Sequence, residues 1–317
     1  MSRRVRVAIV VAVAAAAAAG VAVGAVVVAG NDSETKRPSG VPPFVVDLGV
    51  RGDPEAQALR RAARAYRGDP LGAGRMLDGH SSTQAEVGKA LATWPHGSLA
   101  RLEELARTNA RSGAVLFHLG LARFWEGDED GALEAWRKTR VADPDSAYAI
   151  RATDLLFRRF PPGQPTFVPS FPADPRVARL PAARQLEALE RNAGGRDVRA
   201  KLLYGLALQR LERPVSARKQ YTAAARLAPA NPEALVADAV GRFDKAHPER
   251  AFSRLGPLTR RFPREATVRF HLGVMLLWLT EVDEAKRQLR IAAKAKSPLA
   301  READRLLDRL ENVKKPQ

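Results

Sequence analysis

The sequence predicts an all-α chain, one transmembrane or signal helix followed by a solenoid of antiparallel helix pairs. Three observations predict it. Gly205 and Gly273 stand 68 residues apart, twice 34, with Ala239 midway; Ala217, Ala251 and Ala285, and then Pro229 and Pro263, repeat the 34-residue step. The tetrapeptide FHLG occurs at 117–120 and again at 270–273. Val7–Gly30 is a run of 24 residues without a charge, directly behind Arg3, Arg4 and Arg6. A fixed period of about 20–50 residues marks a stacked array, in which each short unit buries its apolar face against its neighbours.

Taken in chain order, the apolar run comes first. As a helix it is roughly 36 Å long at 1.5 Å per residue, enough to cross a hydrocarbon core of about 30 Å with some tilt. The basic flank belongs on the cytoplasmic side, which places the rest of the chain outside. The expectation for 1–30 is a single-pass anchor, N-terminus cytoplasmic and array extracytoplasmic. The alternative is a cleaved signal peptide, for which Val28-Ala29-Gly30 offers small residues, although the run exceeds the usual apolar length of a signal. Residues 31–52 (NDSETKRPSGVPPFVVDLGVRG) carry three prolines and three glycines and read as a flexible stalk. Helices begin at Asp53-Pro54, an N-cap followed by proline at the first helical position.

Units started at 113, 198, 232 and 266 share fixed residue sizes at fixed places. The eighth position is Gly120, Gly205, Ala239 and Gly273, and the twentieth is Ala132, Ala217, Ala251 and Ala285. The twenty-fourth is Trp136, Tyr221, Leu255 and Leu289, large enough to fill the space that the small residues leave; Pro144, Pro229 and Pro263 end the second helix. The pattern resembles the tetratricopeptide repeat, and the resemblance implies a right-handed superhelix of helix pairs. Lys201 and Arg269 at the fourth position, and Arg123 and Arg242 at the eleventh, depart from the large apolar residues of that family. A weaker unit fits 79–112, with Ser98, Leu102 and Leu105 on its second helix, and 53–78 reads as a degenerate first pair. Pro298–Leu310 is an amphipathic cap, closing a solenoid over 53–311; 312–317 reads as a disordered tail.

Between the unit ending at 146 and the one starting at 198 lie 51 residues, one period plus 17. The arithmetic predicts one more repeat, with helices at 146–160 and 180–192 and a Pro-rich insert at 161–178 in its turn. A linker between two shorter arrays is the alternative. The insert follows Phe160 and carries Phe167 and Phe171 among its prolines, and PxxP at 162–165 and 169–172. Two roles suit it, a stiff spacer whose aromatics pack on neighbouring helices, or a tethered pseudo-ligand lying across the groove.

The resemblance also implies where a partner sits, on the face lined by the first helix of each pair. Carried over position by position, it points to Phe117, Leu121, Phe124 and Trp125 in the 113 unit and Arg199, Gln209 and Arg210 in the 198 unit. It adds Glu233, Phe243 and Asp244 in the 232 unit, and Phe270 and Trp278 in the 266 unit. Aromatic and Arg side chains are common interface hot spots. Trp125 and Trp278, each ending a first helix, are the leading candidates for capturing a protein or peptide ligand.

Chemistry of other kinds finds no motif. There is no cysteine, which removes disulfides and thiolate sites. The five histidines show no HxxxH or HxH spacing, and no GxGxxG, GxxxxGK[ST] or GxSxG occurs. Asp128-Glu129-Asp130 suits the dipole of a helix start better than a cation loop. His118 and His271, at one repeat position, read as structural. No enzyme, metal or cofactor is expected. The net charge of +17 comes with no acidic residue before Asp32, so Arg3, Arg4 and Arg6 are its only contribution from the first thirty residues. The remaining charge is spread over the helices. That favours a membrane-tethered protein scaffold, for instance in envelope assembly, over an electrostatic binder of anionic wall polymer or lipid headgroups; nucleic acid is not expected.

Overall fold

A computed structural model describes residues 38–312. The apolar run 7–30 lies outside the described residues, as do 31–37 and 313–317. No helix among the described residues is long and apolar enough to cross a membrane. The described residues form sixteen helices and no strand. The chain divides between Leu156 and Phe157 into two compact units.

The first unit has seven helices: α1 (Pro54–Ala65), α2 (Pro70–Arg75), α3 (Thr83–Ala92), α4 (Ser98–Thr108), α5 (Gly113–Glu126), α6 (Glu129–Ala142) and α7 (Ala147–Leu156). The second has nine: α8 (Pro175–Ala178), α9 (Ala182–Ala193), α10 (Val198–Arg210), α11 (Pro214–Leu227), α12 (Pro232–Val240), α13 (Glu249–Arg261), α14 (Ala266–Trp278), α15 (Val282–Ala293) and α16 (Pro298–Asn312). Local chemistry sets the starts. Asp53 accepts the Ala56 N–H at 3.0 Å ahead of Pro54, and Asp128 accepts the Gly131 N–H at 2.9 Å, so the acidic cluster caps α6.

The helices α5/α6, α10/α11 and α14/α15 pack closely in pairs, and the packing explains the small residues. A methyl group on Gly120 would run into the Trp136 indole, and one on Gly205 into the Tyr221 ring; on Gly273 it would stand 2.8 Å from Leu289 Cγ. Trp136, Tyr221 and Leu289 are buried in return. Gly205→Ala is therefore expected to destabilise the second unit by about 1–3 kcal/mol, the usual cost of overpacking, read as a lower urea midpoint at unchanged slope.

The turns within these pairs follow one pattern. Gly127, Glu212 and Thr280, each at the fifteenth position, take φ of +90°, +60° and +64°. The next N–H closes back on the first helix each time: Asp128 to the Arg123 carbonyl, Arg213 to Leu208 and Glu281 to Leu276, all at 2.9 Å. This is the Schellman arrangement, in which glycine is favoured. A β-branched Thr at +64° is strained, so Thr280→Gly should stabilise by about 1 kcal/mol, measured as a rise in the midpoint of thermal unfolding.

The charged departures from the family pattern have partners in neighbouring helices. Lys201 Nζ donates to the Ala193 carbonyl at the end of α9 (2.6 Å), and Arg269 reaches the Thr259 carbonyl and Gln288. Arg123 pairs with Glu103 at 3.1 Å. Arg242 holds the buried Asp238 through two bonds of 3.0 Å, and Thr222 donates to the same carboxylate.

Three expectations change. α12 stops at Val240, so Phe243 and Asp244 lie in the turn before α13 instead of on a first helix. The two halves of the expected split repeat go to different units: α7 packs on α6 and α5 in the first, and α9 packs on α10 in the second. α7 follows the FHLG pair α5/α6 as α16 follows the FHLG pair α14/α15. The stretch read as a stalk is, from 41 onward, extended chain against the helices, with Pro42, Phe44 and Leu48 buried. Apolar side chains with few backbone states to lose are well suited to such docking.

Candidate functional site

Each unit holds an extended, proline-bearing segment across the first helices of its pairs. In the first unit this strap is 41–48. The N–H of Val45 donates to His118 Nε2 on α5 at 2.9 Å. Two residues on, the N–H of Asp47 reaches Gln84 Oε1 on α3 at 2.8 Å and Tyr148 Oη on α7 at 3.1 Å. Gln84 Nε2 donates back to the Asp47 carbonyl, and the Asp47 carboxylate accepts the Ala147 N–H at the start of α7. The Phe44 ring packs on Tyr66 (centroids 5.8 Å apart) and on His118 (5.9 Å).

In the second unit the strap is 165–171. The N–H of Val168 donates to His271 Nε2 on α14 at 2.9 Å. Two residues on, the N–H of Ser170 donates to Glu233 Oε1 on α12 at 3.1 Å. Gln209 on α10 holds the preceding backbone, accepting from the Phe167 N–H at 3.1 Å and donating to the Pro165 carbonyl at 2.9 Å. Phe167 is fully buried, stacked on His271 (5.2 Å, interplanar angle 17°) and edge-on to Tyr221 (5.6 Å). The Arg199 guanidinium covers Phe171 at 5.1 Å.

The two sites share one logic. In an extended chain, groups at i and i+2 face the same way, and both straps have the N–H after the Phe and the N–H two residues later received; the second strap adds the Phe167 N–H, taken by Gln209. The first goes to the histidine of an FHLG helix, the second to a side chain on the preceding first helix. The remaining nitrogen, Nδ1, lies 2.7 Å from the carbonyl four residues back, Ala114 for His118 and Thr267 for His271. An Nε2 that accepts carries no proton, so the hydrogen sits on Nδ1 and both imidazoles are neutral. Burial agrees, pushing both down from 6.5 to about 4. Burial also raises the Glu233 carboxyl, opposed by the hydrogen bond from Ser170; its Oε2 is buried without a hydrogen-bond partner among the described residues.

The residues expected to line the groove fall into three groups. Arg199 touches the strap directly, as do Gln209 and Glu233. Phe117 and Phe270 are buried and pack edge-on against His118 and His271, at 5.3 Å and 5.2 Å, so they support the site from behind. Of the others, Leu121, Phe124 and Trp125 join the apolar cluster against which Val45 packs, and Phe243 and Trp278 share the cluster that holds Phe167. Leu121 is buried, Phe124 and Trp125 pack on each other at 5.9 Å, and Arg210 is exposed at the end of α10. Phe243 and Trp278, 6% and 1% exposed, form a core contact at 5.6 Å with Lys245 Nζ over the indole. Trp278 is therefore a packing residue and not the anchor expected.

The residues that were not anticipated as site residues are His118, His271, Gln84, Tyr148, Tyr66 and Tyr221. A signal for the first two did exist: FHLG occurs twice, and so does Pro-x-Phe-Val, at 42–45 and 165–168. Chemically, each face holds the backbone of the chain's own strap. It offers a ring pocket for one Phe, an uncharged acceptor for the next N–H and a second acceptor two residues on.

No family model matches the sequence, and no curated protein matches it. Among solved structures the chain is similar to a tetratricopeptide repeat protein from Parabacteroides merdae, with 11% identity, a TM-score of 0.35, and 81% of this chain and 98% of that one covered. It is also similar to yeast Tom70, with 17% identity, a TM-score of 0.32, and 82% of this chain and 54% of that one covered. The chain thus spans about half the length of Tom70.

Proposed function

We propose that this chain is a scaffold that binds an extended segment of a protein partner on the first-helix faces of its arrays, and that its N-terminal apolar run tethers it to a membrane with the arrays on the extracytoplasmic side. One observation carries the binding half: in both units that face already holds extended polypeptide, through backbone hydrogen bonds and a buried Phe. Those contacts are directional and largely uncharged, so binding of this kind loses little between low and physiological salt, whereas capture of a polyanion would fall steeply. The tethering half rests on the uncharged run behind Arg3, Arg4 and Arg6.

The experiment is photocrosslinking in the native membrane, with a photoreactive residue at Arg199 and protease added from the outside. A specific partner crosslinked to an array that outside protease digests supports the proposal. A polypeptide starting near Asn31 would replace the anchor with a cleaved signal. Absence of any specific crosslink would overturn the scaffold reading.

A further inference from the structure

We infer that the ligand these faces accept is an extended peptide segment of the pattern Pro-x-Phe-Val, with a free N–H on the residue after the Phe and again two residues later, and that such a segment enters by displacing the strap. The inference rests on the scaffold reading and supplies the chemistry of its ligand.

The two straps act as independent answers to one recognition problem. What they share is what the face demands; what differs is free. Shared are the buried Pro two residues before the Phe (Pro42 and Pro165), the buried Phe on a histidine and a tyrosine, and the N–H of the following Val on Nε2. Also shared is a received N–H two residues beyond, from Asp47 and from Ser170. Between those two donors stands Val46 in one strap and Pro169 in the other. Proline has no N–H to give. It is tolerated there because that position faces away from the acceptors, and for the same reason it is excluded one residue to either side. The histidine sharpens the choice. It is neutral and fully buried, so it accepts one hydrogen bond and selects for the N–H itself, not for charge.

Displacement is favoured by the form of the straps. Neither is helical between 41 and 48 or between 165 and 171, so an incoming segment of the same kind replaces their contacts one for one without opening a helix pair. Such exchange is governed by mass action between tethered and free ligand. A strap that is weakened in place should therefore yield to a free copy of itself.

The test uses the full chain, as wild type and as Phe167→Ala, and as probe the synthetic peptide of residues 163–172. Two control peptides carry N-methylvaline at the Val168 position or Ala at the Phe167 position. The parent peptide should bind Phe167→Ala about tenfold or more tighter than wild type and raise its melting temperature. N-methylation should weaken binding about five- to tenfold, the worth of one hydrogen bond, and loss of the ring should weaken it more. Equal binding of parent and N-methylated peptides, or no binding to folded Phe167→Ala, would overturn the inference. Should that variant not fold, Ser170→Pro, which removes the N–H given to Glu233, takes its place; if neither folds, the strap cannot vacate and the inference falls. A crosslinked partner that the parent peptide fails to compete would sink this inference and leave the scaffold reading standing. Peptide binding with no crosslinked partner would do the reverse.

Discussion

Phe167→Ala is expected to lower the stability of the second unit by about 3–5 kcal/mol, the range for removing a buried aromatic side chain. The size of the effect follows from where the ring sits. Phe167 belongs to an irregular, proline-rich segment, yet it is fully buried and shares one apolar cluster with Leu202, Tyr221 and Val236. Its removal leaves a cavity bounded by the His271 and Tyr221 rings, which are fixed by their own hydrogen bonds, so the walls have little freedom to close. Phe171→Ala is the control. That ring is half-buried beneath Arg199 and should cost far less. Urea unfolding followed by circular dichroism measures both; equal and small effects would mean that the strap is not part of the folded unit.

Acid is expected to produce the second large effect. His118 and His271 are held neutral in the folded chain, pushed by burial from 6.5 to about 4. The unfolded chain therefore binds more protons than the folded one between about pH 6.5 and pH 4. Stability falls as pH is lowered through that window and is fully present above it. Each histidine contributes about 3 kcal/mol to the change. Rings and carbonyls surround both imidazoles: Phe44, Phe117, Tyr148 and the Ala114 carbonyl around His118, with Arg151 adding an unfavourable positive charge, and Phe167, Phe270 and the Thr267 carbonyl around His271. None of these groups stabilises an imidazolium by charge. Protonation would also place a donor on Nε2 where Val45 or Val168 already donates. Stability measured across the window for the wild type and for His118→Gln/His271→Gln separates this from titration of surface carboxylates. Gln keeps an acceptor and a donor but does not ionise, so the variant should show a much flatter slope. An unchanged slope would assign the acid loss elsewhere.

The helix pairs were legible in the sequence because side-chain volume is written into it with a period. Gly120 opposite Trp136, Gly205 opposite Tyr221 and Gly273 opposite Leu289 are one packing constraint at one spacing of 16 residues; the last two pairs stand two 34-residue periods apart, and the pattern survives the charged departures at Lys201 or Arg242. The straps were not legible in the same way. An extended segment of seven or eight residues has no long period, its composition reads as a linker, and the histidine acceptors lie 73 residues away for the first strap and 103 for the second. From the sequence alone, the equivalence of His118 and His271 between repeats reads as packing. They are indeed buried, but burial serves the acceptor that the strap uses. Of the positions that the resemblance implies, Arg199, Gln209 and Glu233 touch the strap, while Trp278 is buried in the core and Phe243 leaves the first-helix face because α12 ends at Val240, earlier than the repeat pattern implies.

The central claim is that each array carries an extended Phe-Val segment locked to a buried histidine. Residue-resolved amide hydrogen exchange on the intact chain tests it most directly, since it reports the two backbone donors themselves. Val45 and Val168 should exchange as slowly as amides within the helices that hold them, and Val46, whose N–H faces away from the acceptors, should exchange faster than Val45. Exchange of Val45 and Val168 at the rate of unstructured chain would contradict the account.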